Sequence, residues 1–430
     1  MKRYDEYKDT GIEWIPQIPK HWEVVRTKFV IKNQTKGNGI TKLEVFEDGD
    51  TPCVRYGEIY SKYNHSFDKC FSYTKKEILS CLRYFEKGDI LVACTGELVE
   101  EIGKNIVYMG EQPCLAGGDI IILKPNQNSL YLNYVLNSKN SQEQKSYGKT
   151  KLKVVHISSS EIGNIFIPLP PLSEQEKIVE YLEHKTQKID AYVAEREREL
   201  QLLSELKEAE VANVVTRGIN PNAKMKDSGI PWIGMIPEHW EVRRLSSLFV
   251  GDIDINSDFK YQYAFKFNYG SLVLKNEVGD IEEYRTTYEK YSILKQNDIV
   301  INGLNLNYDF VSQRVAQAPS DGIITSAYIV LRPRVGTNSN YCTYLFKSMD
   351  NKKIFHGMGK GIRLTLSFEE LKKQFIPLPP LEEQQAIVAY IEEKCKKIDA
   401  LVEALEAEIE QLKEYKQSLI ADCVTGKIKV

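Results

Sequence analysis

A chain of 430 residues is longer than one ordinary hydrophobic core can organise, and 42% hydrophobic with 27% charged residues excludes a disordered or fibrous composition. No run of about 18 uncharged apolar residues occurs, and Met1 to Asp9 alternates charges where a signal peptide needs an apolar stretch, so no membrane role and a cytoplasmic location are expected. Eight cysteines (Cys53, Cys70, Cys81, Cys94, Cys114, Cys342, Cys395 and Cys423) include no C-x-x-C pair, which suits neither a disulfide framework nor a zinc site and reads as reduced packing residues.

In chain order, residues 1–21 form a short lead-in segment carrying Gly11-Ile12-Glu13-Trp14-Ile15, and it runs into Ile18-Pro19-Lys20-His21-Trp22-Glu23-Val24. Residues 22–166 follow as a block of short apolar and alternating runs, such as Ile120-Ile121-Ile122-Leu123, separated by Gly and Asn turns that predict strands. Residues 167–218 open with Ile167-Pro168-Leu169-Pro170-Pro171-Leu172. The two adjacent prolines cannot lie inside a helix, so a helix is expected to begin just after them, with Ser173 and Glu176 at capping-box spacing.

The same order then repeats. A second lead-in over 219–239 carries Gly229-Ile230-Pro231-Trp232-Ile233, with Ile236-Pro237-Glu238-His239-Trp240-Glu241-Val242 at its end. A second block spans 240–375. Residues 376–430 repeat the hinge identically from Ile376 to Leu381, again followed by a charged amphipathic stretch, although Glu382 replaces the capping serine. Behind each hinge Glu174-Gln175 matches Glu383-Gln384, Lys188-Ile189-Asp190-Ala191 matches Lys397-Ile398-Asp399-Ala400, and Val215-Thr216 matches Val424-Thr425. The blocks between these fixed frames have diverged almost completely.

In the second amphipathic stretch Ile391, Ile398, Leu405, Leu412 and Leu419 fall seven apart, with Ile387, Val402 and Ile409 on the complementary seam. The first keeps the register with Leu182, Ile189 and Leu203, together with Ile178, Val193 and Leu200, but has Arg196 and Glu210 where the second has Leu405 and Leu419. A narrow stripe of 3-4 spacing suits one partner helix, and two such helices in one chain most simply cover each other. The alternative is that each packs on its own block. The expected fold class is therefore α/β, mixed α+β: two similar domains separated by two long helices that form an antiparallel coiled-coil pair, with a pseudo-two-fold internal repeat.

Charge follows the same division. The overall −3 conceals blocks of +2 (22–166) and +3 (240–375), against −5 for residues 173–212 and −6 for 381–423. A polyanion would meet the blocks more readily than the helices.

Two diverged blocks in a repeated frame, with PLPPL-x-EQ entering long helices and the G-I-x-W-I…I-P-x-H-W lead-in, resemble the specificity subunits of Type I restriction-modification enzymes. The resemblance runs from Gly11 to Lys427 and is strongest at Ile167–Gln175, Ile376–Gln384 and Gly229–Trp240. It implies that each block is a target-recognition domain reading one half of a split, asymmetric site in double-stranded DNA. It also implies that the paired helices set the unread gap and dock two adenine-methylating (modification) subunits that use S-adenosylmethionine. A restriction subunit that translocates DNA with ATP and Mg joins that complex. The chain itself would be a non-catalytic recognition subunit that binds no cofactor.

The residues agree with a chain that does no chemistry. There is no G-x-x-x-x-G-K-[ST] loop for ATP and no [ND]-P-P-[FY] tetrad for a flipped adenine. His21 and His239 stand before tryptophans without a nearby ligand set, so frame packing is expected of them rather than metal binding. No catalytic and no metal-binding residue is assigned.

For DNA contacts the candidates are Lys149, Lys151 and Lys153 in a glycine-led basic loop before the first hinge, and Lys360 and Arg363 among Gly357, Gly359 and Gly361 before the second. Glycine permits close backbone approach and the cations neutralise phosphate or read guanine; ordinary solvated turns are the competing reading. Arg55 with Tyr56, and Tyr261 and Tyr263 beside Lys260 and Lys266, are weaker candidates because aromatic residues are more often core. Two other functions stay open at this point: the specificity partner of a compact enzyme in which cutting and methylation share one polypeptide, and a coiled-coil scaffold for proteins alone.

Overall fold

A computed structural model describes residues 2–79, 81–150, 154–251, 253–276 and 279–430. The chain divides into two compact units that do not follow sequence halves: Met1–Glu197 with Glu406–Val430, and Arg198–Leu405. Each unit contains one lead-in, one divergent block, the first part of the helix that follows that block, and the last part of the other repeat's helix.

The prolines and the seam act as their chemistry requires. The first long helix spans Leu172–Arg217 and the second Leu381–Val424, each beginning at the residue after the proline pair. Before each pair, the apolar half of the hinge is a strand. Phe166–Leu169 pairs antiparallel with Glu23–Arg26, and Phe375–Leu378 pairs with Glu241–Arg244. The lead-in and hinge motifs therefore recur together because they are the two strands of one ladder. That ladder closes the ends of the block between them. Pro168 and Pro377 are tolerated because a two-stranded ribbon has a free side for a residue without an N–H.

Within the first unit the block forms a five-stranded sheet in the order Ile31–Lys36, Ile120–Pro125, Ile90–Ala93, Asn105–Tyr108 and Ser66–Phe67, beside a four-stranded sheet centred on Thr51–Val54 and Cys114–Ala116. Within the second unit the corresponding sheet has four strands, Phe249–Val250, Ile329–Pro333, Ile299–Ile301 and Val315–Gln317, with smaller ribbons around it. The two sheets share four antiparallel strands in the same order, and the first adds Ser66–Phe67, parallel, at one edge. In both, a helix packs on this sheet, Ser129–Asn137 in one unit and Ser339–Asn351 in the other.

The long helices run antiparallel. Inside the first unit Lys416 reaches Asp190 at 2.6 Å and Lys413 reaches Glu197 at 3.5 Å, so positions rise along one helix as they fall along the other. Inside the second unit Lys207 meets Asp399 and Tyr390 donates to Glu210 at 2.7 Å. The two polar breaks in the first stripe are thereby matched: Glu210 accepts from Tyr390, and Arg196 lies 3.5 Å from Glu408. The predicted seam is covered at its ends and, through Val193 and Ile409, at points between them, and is partly exposed elsewhere. Leu182, Ile391 and Leu419 are buried, whereas Ile189, Leu203, Ile398, Leu405 and Leu412 are partly exposed.

Burial sets the cost of truncation. Leu419→Ala, at a side chain only 2% exposed, should cost about 2–5 kcal/mol. Leu405→Ala should cost about 1–2 kcal/mol because less area leaves water there. Thermal denaturation should rank the two melting temperatures in that order, and equal melting temperatures would show that the middle of the pair is as closed as its end.

Candidate nucleic-acid interface

The recurring polar residues build the frame on which each block is held. Glu174 accepts from Trp22 Nε1 at 3.0 Å and Tyr4 Oη at 2.9 Å and lies 2.7 Å from His21 Nε2, while Glu383 lies 2.7 Å from His239 Nε2. Gln175 is fully buried. Its amide donates to Pro170 O at 2.9 Å and its oxygen accepts from Asn128 N at 3.2 Å; Gln384 does the same with Pro379 O and Asn338 N, each at 2.8 Å. The Glu-Gln pair after each hinge is thus a clamp: glutamate holds the lead-in, and glutamine holds the cap of the block's helix. The histidines serve this frame, and among the described residues no group of three or more His, Cys, Asp or Glu could hold a metal ion.

Sequence reasoning missed the other side of that clamp. Asn128 caps one helix by accepting from Tyr131 N and Asn338 caps the other by accepting from Tyr341 N. The buried hydroxyl of Tyr131 donates to Pro168 O and Val424 O, and that of Tyr341 to Pro377 O and Val215 O. The signal was present as Asn128-Ser129-x-Tyr131-x-x-Tyr134 against Asn338-Ser339-x-Tyr341-x-x-Tyr344, hidden inside blocks that otherwise share little.

Held this way, each block presents the loop that follows its central strand. In the first unit Ile90–Ala93 leads into residues 94–104, where Thr95 and Gly96 pair with His156 and Val155 from the segment before the hinge. This loop exposes Glu97, Leu98, Glu100 and Glu101. It is tied down from beneath by the buried amino group of Lys145, which lies 2.6 Å from Gly103 O, 2.6 Å from Leu136 O and 3.0 Å from Asn105 Oδ1. In the second unit Ile299–Ile301 leads into residues 302–313, which join residues 358–366 through Leu306 N to Leu364 O and Leu366 N to Gly303 O. Here the buried cation is Arg314, donating to the carbonyls of Asn302, Leu304 and Asp309.

The candidate contact residues fall unevenly on this framework. Lys151 and Lys153 lie outside the described residues. Lys149 is turned inward, 15% exposed, bonding His156 O and Glu161. Lys360 and Arg363 share one exposed turn beside the 302–313 loop, with Lys360 3.2 Å from Glu370. Arg55 is 26% exposed and lies 3.5 Å from the buried Glu58. Tyr56 is half-exposed at the start of the short helix Tyr56–Ser61, whose Tyr60 adjoins the 94–104 loop through Glu101 O and Lys104. Tyr261 is partly buried, with its hydroxyl bonded by Lys295, whereas Tyr263 is 71% exposed.

Against this geometry, the sequence profile described as Type I restriction modification DNA specificity domain matches twice, over residues 19–202 and 237–411. The chain belongs to that family. Two Methanocaldococcus jannaschii chains carrying the names of the MjaX and MjaVIII specificity subunits of type I restriction enzymes are each 27% identical to it, over 97% and 96% of this chain and 96% and 94% of theirs. A chain from a solved type I R-M system, studied for complex assembly and conformational transition, has the same fold with a TM-score of 0.69 at 18% identity, covering 96% of this chain and 99% of that one. A DNA specificity subunit of this family thus consists of two closed frames, each presenting different loops. No helix among its described residues is long and apolar enough to cross a membrane.

Lys145 gives a pH signature to the first frame. Burial pushes its pKa down from 10.5 to about 7, so between those values the unfolded chain carries a proton that the folded chain does not. Stability from this group therefore rises with pH across that window. The melting temperature of the parent minus that of Lys145→Met should grow between pH 7 and 10; a constant difference would show that the ammonium stays charged in the fold.

Proposed function

We propose that this subunit reads an asymmetric, bipartite site in double-stranded DNA, one half with each unit, and performs no chemistry itself. The observation that carries the reading is the contrast within one construction. Like-built Glu-Gln clamps hold both blocks, yet the loop after the central strand exposes Glu97, Glu100 and Glu101 in one unit and Asn305, Tyr308, Phe310 and Val311 in the other. A scaffold for proteins alone gives no reason to preserve the clamp while changing the chemistry it presents. Two readers of different half-sites do, because base edges offer both donors and acceptors.

The acidic helix pair is a poor surface for DNA and suits protein partners: two modification subunits that transfer methyl groups from S-adenosylmethionine to adenine, and a restriction subunit driven by ATP and Mg. The length of the pair sets the unread gap. This division of labour leaves the subunit without a cofactor of its own.

Exchanging residues 240–375 for the block of another specificity subunit should change one half of the methylated motif and leave the other intact, read by sequencing methylated DNA from cells carrying the complex. A motif that changes in both halves would overturn the assignment of one half-site to each unit.

Seven residues inserted after Leu203 and after Glu403, each one turn from the Lys207–Asp399 pair, preserve the seam and lengthen each helix by about 10 Å at roughly 1.5 Å per residue. Both half-sites should still be methylated with the gap enlarged by about three base pairs, at roughly 3.4 Å per pair. An active complex with an unchanged gap would reduce the pair to a docking platform.

A further inference from the structure

Three loops of the second unit meet along one edge of its block. The hairpin turn between Phe265–Asn268 and Ser271–Leu274 puts Tyr269 at φ 43° and 88% exposed, and its Gly270 lies against Gln313, where a Cβ would stand 2.4 Å from Oε1. Next to it the 302–313 loop holds Asn305 at φ 52° and exposes Tyr308, Phe310 and Val311. Asn307 Nδ2 then reaches Ile362 O at 3.1 Å in the third loop, where Leu364 has φ 41° and Ile362 and Arg363 are exposed. Three of the six non-glycine residues with positive φ among the described residues are therefore on this edge. Left-handed backbone is costly for tyrosine and leucine, and such strain persists only where surrounding structure imposes it.

That structure is present. Arg314, 1% exposed, fastens three carbonyls of the 302–313 loop, Asp309 accepts the N–H groups of Val311 and Ser312, and His356 stacks on Phe310 at 4.7 Å. A buried cation and strained backbone are thus used to hold Tyr308, Val311 and Ile362 in water, which contributes nothing to folding. The carboxylate of Asp309 is engaged by its own turn, while Arg363 and Lys360 remain on the outer face. Rigid apolar side chains flanked by cations fit the grooved edge of a duplex, where stacked bases and thymine methyls lie between phosphates.

We propose that this edge is the base-reading surface of the second unit, with Arg363 bonding a guanine in the major groove and Tyr308, Val311 and Ile362 packing on the neighbouring base edges. It rests on the assignment of one half-site to each unit.

The test uses the full chain assembled with its methylating partner and a duplex carrying the methylated motif. Arg363→Ala and Tyr308→Ala should each weaken binding of that duplex by about 10- to 100-fold, leave binding to an unrelated duplex nearly unchanged, and relax positions in one half of the motif. Arg363→Lys should keep the unspecific affinity and lose the discrimination, which separates base reading from phosphate attraction. Val335→Ser, exposed in the turn before Ser339–Asn351, should change neither. Melting curves confirm folding, and should Tyr308→Ala fail to fold, Arg363→Ala decides alone. Folded complexes with parental affinity and motif, or variants that lose the protein partner in place of DNA, would overturn the proposal. If exchange of residues 240–375 still switches one half of the motif, only the edge is misassigned; if that exchange also changes nothing, the reading of the units as half-site readers falls with it.

Discussion

Each unit closes on a tryptophan that its own repeat cannot cover. Trp22 and Trp240 are the largest fully buried side chains, and each lies in a core completed by the last turns of the other repeat's helix: Leu419, Cys423 and Val424 around Trp22, Val214 and Val215 around Trp240. The helices end there on Gly426 and Gly218, at φ 73° and 74°, the left-handed geometry that closes a helix. Both glycines also stand against the indoles, where a Cβ would come within 3.2 Å and 3.3 Å. Removing a buried indole costs about 3–5 kcal/mol. The antiparallel helix pair is therefore a structural requirement of both units, over and above its own half-buried seam.

From that closure the rest follows in order. Because the indole is fixed, the strand after it is fixed, and the hinge strand pairs to it; because the hinge is fixed, the glutamate and glutamine that begin the long helix meet the lead-in and the block's helix cap. The block needs only an apolar centre that fits this frame. Everything beyond the four shared strands is then free to vary, and the fifth, edge strand in one unit, absent from the four-stranded sheet of the other, is the result. Buried basic side chains, Lys145 in one and Arg314 in the other, meet a shared need by different means: both satisfy loop carbonyls that would otherwise be desolvated without partners.

The frame was legible in the sequence because its determinants are periodic or repeated. Proline pairs mark the helix starts, sevenfold spacing marks the seam, and two copies of each motif separate frame from block. The division into compact units was less legible, since nothing local in Leu419 or Val215 says which tryptophan it will cover. Glycine and clustered basic charge pointed to the segments before the hinges, whereas the loops after the central strands, residues 94–104 and 302–313, carried no such signal. Lys149 looks like a surface cation and is spent inside the protein, whereas Arg314, of a residue type expected outside, is an internal anchor. Those outcomes depend on carbonyls brought close only by the fold.

The arrangement also dictates a timetable. Residues 198–405 contain everything the second unit needs, whereas the first waits for residues 406–430 before Trp22 is covered. Domains generally fold in the order in which they leave the ribosome. Here the order inverts: the unit whose residues emerge first is the last to be sealed, and its unfilled tryptophan pocket stays open while some two hundred further residues are translated. A premature stop or proteolytic trim near Leu419 would consequently disable the beginning of the protein and leave the middle whole.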